Sequence, residues 1–162
     1  QTPYVICNGY MYDVLQGISD HAKLQIVLNA VEKGSNPWGC TDYLNQKKKI
    51  LETGADVYEL MNDYPVHTKA VLINDRLSVV GSYNLDMRST YLDTELMLVI
   101  DSEKLSQQIH ETESDYMEKS KEVLANGQET EGAKYQGKVL NRKKKLYYGV
   151  LRIIIRPLRQ LL

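Results

Sequence analysis

Residues 66–86 read VHTKAVLINDRLSVVGSYNLD. Two apolar stretches, Val66–Ile73 and Leu77–Val80, flank Asn74-Asp75-Arg76, and that short polar gap predicts a β-hairpin. On a strand, residues i and i+2 share a face, so His67 and Lys69 project together, away from Thr68 and Ala70. Lysine brings a fixed positive charge, and a neutral imidazole can attack an electrophile or carry a proton. The returning strand delivers Gly81, Ser82 and Asn84 to the same end of the sheet. The glycine lets backbone approach a ligand closely; the serine and asparagine add a hydroxyl and an amide. Cation, imidazole, hydroxyl and amide together make a cradle for phosphate. An isolated H-x-K is an ordinary exposed pair on an edge strand. The G-S-x-N at a set distance downstream overturns that reading here.

Outward from the hairpin, the pattern alternates strands and helices. Thr2–Cys7 reads as a strand with Pro3 at its start, and Tyr10–Gly17 as a short helix. Lys23–Asn29 alternates polar and apolar residues as a strand does. Residues 34–39, GSNPWG, read as a loop, and Thr41 as the cap of a helix running to Glu52 and stopped by Gly54. Asp56–Leu60 is a third strand. Beyond the hairpin, the run LMLVI (96–100) has the composition of a strand buried on both faces. Ser102 caps a long polar helix reaching about Leu124. This order predicts an α/β fold, a mixed sheet with helices on both faces. Three segments follow: a compact unit at 1–125, a Gly- and Glu-rich flexible linker at 126–137, and a basic tail at 138–162.

The chain has 162 residues, enough for one domain with a real core. Charge is uneven. Residues 141–162 carry +7 and no acid, against −1 for the whole chain, so residues 1–140 sum to −8. That excludes a uniformly basic nucleic-acid binder. Cys7 and Cys40 lie 33 apart without a metal-ligand spacing, and read as free buried thiols of a reducing compartment. A chain opening at Gln1 directly into a strand reads as a cut inside a longer protein.

The motif resembles the signature of the phospholipase D superfamily: H-x-K, four residues, Asp, about six residues, then G-S-x-N. His67, Lys69, Gly81, Ser82 and Asn84 match. Asn74 stands at the aspartate's place, with Asp75 one further on. The stretches QTPYVIC (1–7), GSNPWGCTDYL (34–44) and GSYNLDMRSTYLDTELMLVIDS (81–102) are similar to the C-terminal half of bacterial cardiolipin synthase-like proteins. The resemblance covers about residues 1–123. It implies a phospholipase D-type phosphatidyltransferase of phospholipid biosynthesis that needs no metal or cofactor. His67, Lys69, Asn84 and Glu95 become catalytic, with Lys69, Ser82 and Asn84 on the substrate phosphate. Glu95, about a dozen residues past the turn, would fix the imidazole tautomer. Asp75, Gly81, Asp86 and Arg88 would support the loop, the last two charges as an ion pair.

In this family two such motifs meet, one histidine forming a phosphohistidine and the other serving as acid and base. His21-Ala22-Lys23 lacks any downstream G-S-x-N and reads as a coincidence, so the chain holds half a site. The implied partners are a second motif-bearing half, from the same protein or a second copy, and an anionic, phosphatidylglycerol-like phospholipid, without nucleic acid. A hydrolase of the superfamily acting on lipid or nucleic acid as a homodimer, or a non-catalytic half-domain, stays open at this point. Arg152, Arg156 and Arg159 fall on one helical face amid Leu151, Ile154, Ile155, Leu158 and Leu162. Such a basic amphipathic tail suits an anionic membrane surface and is too interrupted to span a membrane. The implied place is the bacterial cell membrane, at its cytoplasmic face or otherwise membrane-associated, with the fragment itself soluble.

Overall fold

The computed structural model describes residues 1–137 and 140–162. Strand β1 (Val5–Ile6) leads to helix α1 (Gly9–Ser19), whose first turn is capped by Asn8 accepting from the Met11 N–H. Strand β2 (Gln25–Asn29) follows, then helix α2 (Pro37–Glu52). Asn36, not Thr41, caps α2, and Pro37 opens it. A proline at the first helical position loses an N–H that has no helical partner anyway, so the GSNPWG stretch starts a helix instead of ending as a loop. Gly54 stops the helix with a φ of 88°.

Strand β3 (Asp56–Leu60) lies parallel to β2, pairing Ile26 with Val57 and Leu28 with Glu59. Strands β4 (Ala70–Ile73) and β5 (Leu77–Gly81) form the hairpin, with Asn74 in the left-handed region at φ 53°. Then come β6 (Leu85–Asp86), a one-turn helix α3 (Met87–Tyr91), β7 (Met97–Asp101) and α4 (Glu103–Glu118). The sequence expectation ran α4 on to Leu124. Instead Ser120–Val123 turns back as β8, antiparallel to β3. Residues 126–137, expected as a flexible linker, form a turn and strand β9 (Glu129–Glu131), which pairs with β8. Helix α5 (Arg142–Ile154) and a 3₁₀ helix (Arg156–Leu161) follow. Lys138 and Val139, the first residues of the expected tail, lie outside the described residues.

The fold is the mixed α/β arrangement read from the sequence. Among the described residues the strands form three sheets: β1–β6, β2–β3–β8–β9 and β4–β5–β7. The segment Gln1–Pro3 stitches them together. Thr2 N–H donates to the Val27 carbonyl, and Ala70 N–H to the Gln1 carbonyl, at 3.0 and 3.1 Å. Alternation along β2 sends Ile26 and Leu28 into one core with α1 and α2, where Val5, Tyr43, Ile50 and Val57 meet them. Val27, Tyr58 and Leu60 face the other way, against Tyr116 and Met117 of α4. Helices thus cover both faces of β2–β3. Charged groups near this core are paired: Glu59 takes Lys47 and Lys121 at 2.8 and 3.2 Å, together with the Tyr43 hydroxyl.

Strand β7 departs from the sequence reading. It is an edge strand, and Leu98 and Val99 are exposed, the latter 70%. Ser78 on one face of this ladder meets Ser106 of α4 at 2.8 Å. Register places Val71, Val79 and Val99 side by side on the opposite face, which nothing covers among the described residues.

Candidate active site

The site grows from the mouth of the β4–β5 hairpin. His67 and Lys69 sit in extended backbone just before β4, and their side chains do point together. Lys69 Nζ lies 2.6 Å from His67 Nδ1, 3.2 Å from Nε2 and 2.9 Å from the His67 carbonyl. Lys69 is 8% exposed, whereas the imidazole is open to solvent. Partial burial, then the adjacent ammonium, push the His67 pKa below its ordinary value. Burial also lowers that of Lys69, opposed by the charges of Glu95 and Asp86. The His67 direction favours a neutral imidazole; the Lys69 direction works against its charge, which Glu95 and Asp86 help to keep.

Gly81 N–H donates to the Lys69 carbonyl at 3.3 Å, locking the two motif segments together. The reason for glycine here differs from the sequence reading. A Cβ on Gly81 would stand 2.0 Å from the Leu96 carbonyl oxygen and 2.9 Å from Met97 Cα. The residue makes room for β7 and not for a ligand. Ser82 N–H donates to the Leu96 carbonyl, and Leu96 N–H donates back to Ser82 Oγ, each at 3.0 Å.

The Ser82 hydroxyl donates to the Glu95 carboxylate. Glu95 was expected against the imidazole, but in this chain it receives Ser82 while the imidazole faces Lys69. Hydroxyls of Ser82 and Ser89, with help from the Lys69 charge, hold the Glu95 carboxyl below its ordinary range. It is therefore an anion close enough to Lys69 to be felt by it. Asn84 is held through its backbone, its N–H donating to Ser89 Oγ at 3.2 Å. Its side-chain Oδ1 is buried without a partner. Such an orphan costs about 1–3 kcal/mol, and turning the amide by half a rotation would present its NH₂ as a donor. Asn84 lines a small cleft of about 120 Å³ with Tyr4, Asn36, Asp86, Arg88 and Leu162.

Two supporting roles are corrected. Asp86 does not pair with Arg88: its buried carboxylate caps α3, accepting from the Ser89 N–H at 2.6 Å, while Arg88 pairs with Asp93 at 2.9 Å. Asp75 sits in the hairpin turn, at the far end of β4 from His67. Its side chain is almost fully in water, 3.8 Å from His110, because Asn74 closes the turn and aims the next residue outward. Among residues the sequence reading missed, Ser89 anchors both Asn84 and the cap. Its signal was a serine three after Asp86 at a helix start. Tyr4 and Asn36 reach the cleft from distant segments and carried no local signal.

The family described as "Cardiolipin synthase, PLD-like domain" matches residues 1–115. Cardiolipin synthase A of Proteus mirabilis is 31% identical over 146 residues, 87% of this chain and 28% of that protein. The corresponding protein of Buchnera aphidicola is 37% identical over 73 residues, 45% of this chain and 15% of its own. The chain thus spans less than a third of the curated relatives it matches. Among solved structures, the phospholipase D family member Nuc of Salmonella typhimurium superposes with a TM-score of 0.60 at 16% identity, covering 75% of this chain and 77% of that one. Phosphatidylserine synthase of Haemophilus influenzae gives 0.64 at 14%, covering 99% of this chain and 40% of its own. At these identities the two structures show the shared fold.

Proposed function

Because the chain belongs to the cardiolipin synthase, phospholipase D-like family, we propose that it supplies half of a phosphatidyltransferase active site. The observation that supports this most directly is the contact of Lys69 Nζ with the His67 ring, with the Gly81 N–H tied to the Lys69 carbonyl. In the proposed reaction, one ring nitrogen attacks the phosphorus of a phosphatidylglycerol-like diester. A P–N bond forms, the P–O bond to the leaving alcohol breaks, and that alcohol takes a proton from a second imidazole. The acceptor hydroxyl then gives its proton to this second imidazole and attacks, forming P–O and releasing the histidine. His67 fills one of the two imidazole roles. Lys69, Ser82 and Asn84 bind the phosphoryl oxygens, and Glu95 orients Ser82 and offsets the Lys69 charge.

The second imidazole comes from another motif-bearing half, outside this chain. The uncovered apolar face of Val71, Val79 and Val99 supports such a partner, since exposed patches of this kind mark interaction surfaces. Lys69 precedes β4 on the same side. A hydrolase built from two copies is the second reading, since a second copy could also cover the Val71, Val79 and Val99 face. Thin-layer chromatography of the complete protein on phosphatidylglycerol separates them. Transfer gives a diphosphatidyl product and hydrolysis gives phosphatidic acid; neither product would refute both readings.

A further inference from the structure

Helix α5 has two apolar faces, and only one is used by the fold. Leu151 and Ile155 are buried against the body, and Tyr148 donates its hydroxyl to the Val31 carbonyl at 3.3 Å. The opposite face carries Leu146, Val150 and Ile153, spaced i, i+4 and i+7. Leu146 and Ile153 are each 71% exposed. Lys143, Lys145 and Arg156 flank this strip, and Lys144 stands at the helix start on the side of Leu151, all exposed. Of the three arginines read from the sequence as one face, only Arg156 joins this outward surface. Arg152 donates to Asn45 and to the Leu44 carbonyl, and Arg159 clasps Asp42 with both ends of its fork at 2.6 and 2.9 Å. Pro157 opens the 3₁₀ segment that follows α5, and that segment carries Arg159 to Asp42.

We propose that the outer face of α5 docks this domain on an anionic membrane surface. An aliphatic strip ringed by cations enters the headgroup boundary with its apolar side while the ammonium groups meet lipid phosphates. A nucleic acid would satisfy the cations and leave Leu146, Val150 and Ile153 in water. A second copy of the same face is repelled, because residues 141–162 carry +7 without an acid. No helix among the described residues is long and apolar enough to cross a membrane, so α5 lies on the surface. Through the 3₁₀ segment that follows it, α5 is also linked to α3 beside Asn84: Arg88 N–H donates to the Leu162 carbonyl at 2.9 Å. Docking therefore holds the phosphate cradle in a set relation to the lipid plane.

This partner deepens the phospholipid reading, but its test reads no catalysis. The full 162-residue chain is sedimented with vesicles of phosphatidylcholine alone or mixed with phosphatidylglycerol. It co-sediments with the mixed vesicles and not the neutral ones, and added salt weakens the binding. Replacing Lys143, Lys144 and Lys145 by Gln lowers partitioning about a hundredfold. Leu146→Asp with Ile153→Asp abolishes it. His67→Ala binds as the parent does, so failure of docking and failure of the catalytic reading are told apart. All these side chains are exposed, and thermal melting verifies that the variants stay folded. Equal binding to neutral vesicles, undiminished binding by the folded variants, or no binding by the parent chain overturns the proposal.

Discussion

An ammonium 2.6 Å from a ring nitrogen cannot share its surroundings with a second positive charge at low cost. His67 should therefore stay neutral to lower pH than a free histidine. Lowering of its pKa means that the neutral form persists below the ordinary midpoint of 6.5 and is lost only under more acid conditions. An NMR titration of the His67 ring should give a midpoint below 6.5. Lys69→Met should raise that midpoint without restoring it fully, since burial is the larger cause. A midpoint at or above the ordinary value would remove the charge coupling from the site. The complete enzyme should likewise keep its acid-side activity below that pH if a neutral His67 is required. The His67–Lys69 contact was readable from spacing alone, because i and i+2 side chains align in any extended segment. The partners of Glu95, Asp86 and Arg88 were not. Each is chosen by how the chain from Ser82 to Leu96 closes on itself, and three acids and a buried serine offer several pairings of similar merit.

At the scale of the element, Gly81 and β7 matter most. Since β7 passes where a Cβ would be, Gly81→Ala must displace backbone, not a side-chain tip. We expect a loss of about 1–3 kcal/mol, read as a lower urea midpoint with an unchanged slope. An unchanged midpoint would show that β7 can shift freely. Strand β7 also shows why composition misled. LMLVI looks like a strand sandwiched on both sides, yet its outer face is open. Apolar content reports that a surface will be covered, not by which chain. Val99→Asp should leave the fold and its melting temperature nearly unchanged, because the side chain is in water already. It should abolish pairing with a second half, and with it activity. Retained pairing, measured by light scattering, would place the partner elsewhere. The α4 boundary was lost for a related reason: Ser120–Val123 is polar, and only its ladder with β3 makes it a strand.

Across the whole molecule, the tail is attached by chemistry and not merely by the chain. Arg159 grips Asp42, which is fully buried and also receives Gln46 at 2.5 Å; Gln46 in turn accepts from the Cys7 N–H at 2.8 Å. Arg159→Ala leaves a buried carboxylate without its cation, at a cost of about 3–5 kcal/mol. Hydrogen exchange should then show α5 opening before the sheet does; exchange unchanged across α5 would mean that Leu151 and Ile155 hold it alone. The proposed half-site character is also a property of the whole. The claim beneath it all is that His67 handles the phosphoryl group or its proton, and one measurement meets it directly. Transfer from phosphatidylglycerol by the complete protein is compared between the parent and His67→Ala, with folding confirmed. The rate should fall at least a thousandfold, at the upper range for loss of a catalytic histidine (about 10²–10⁴). An unchanged rate would contradict the account.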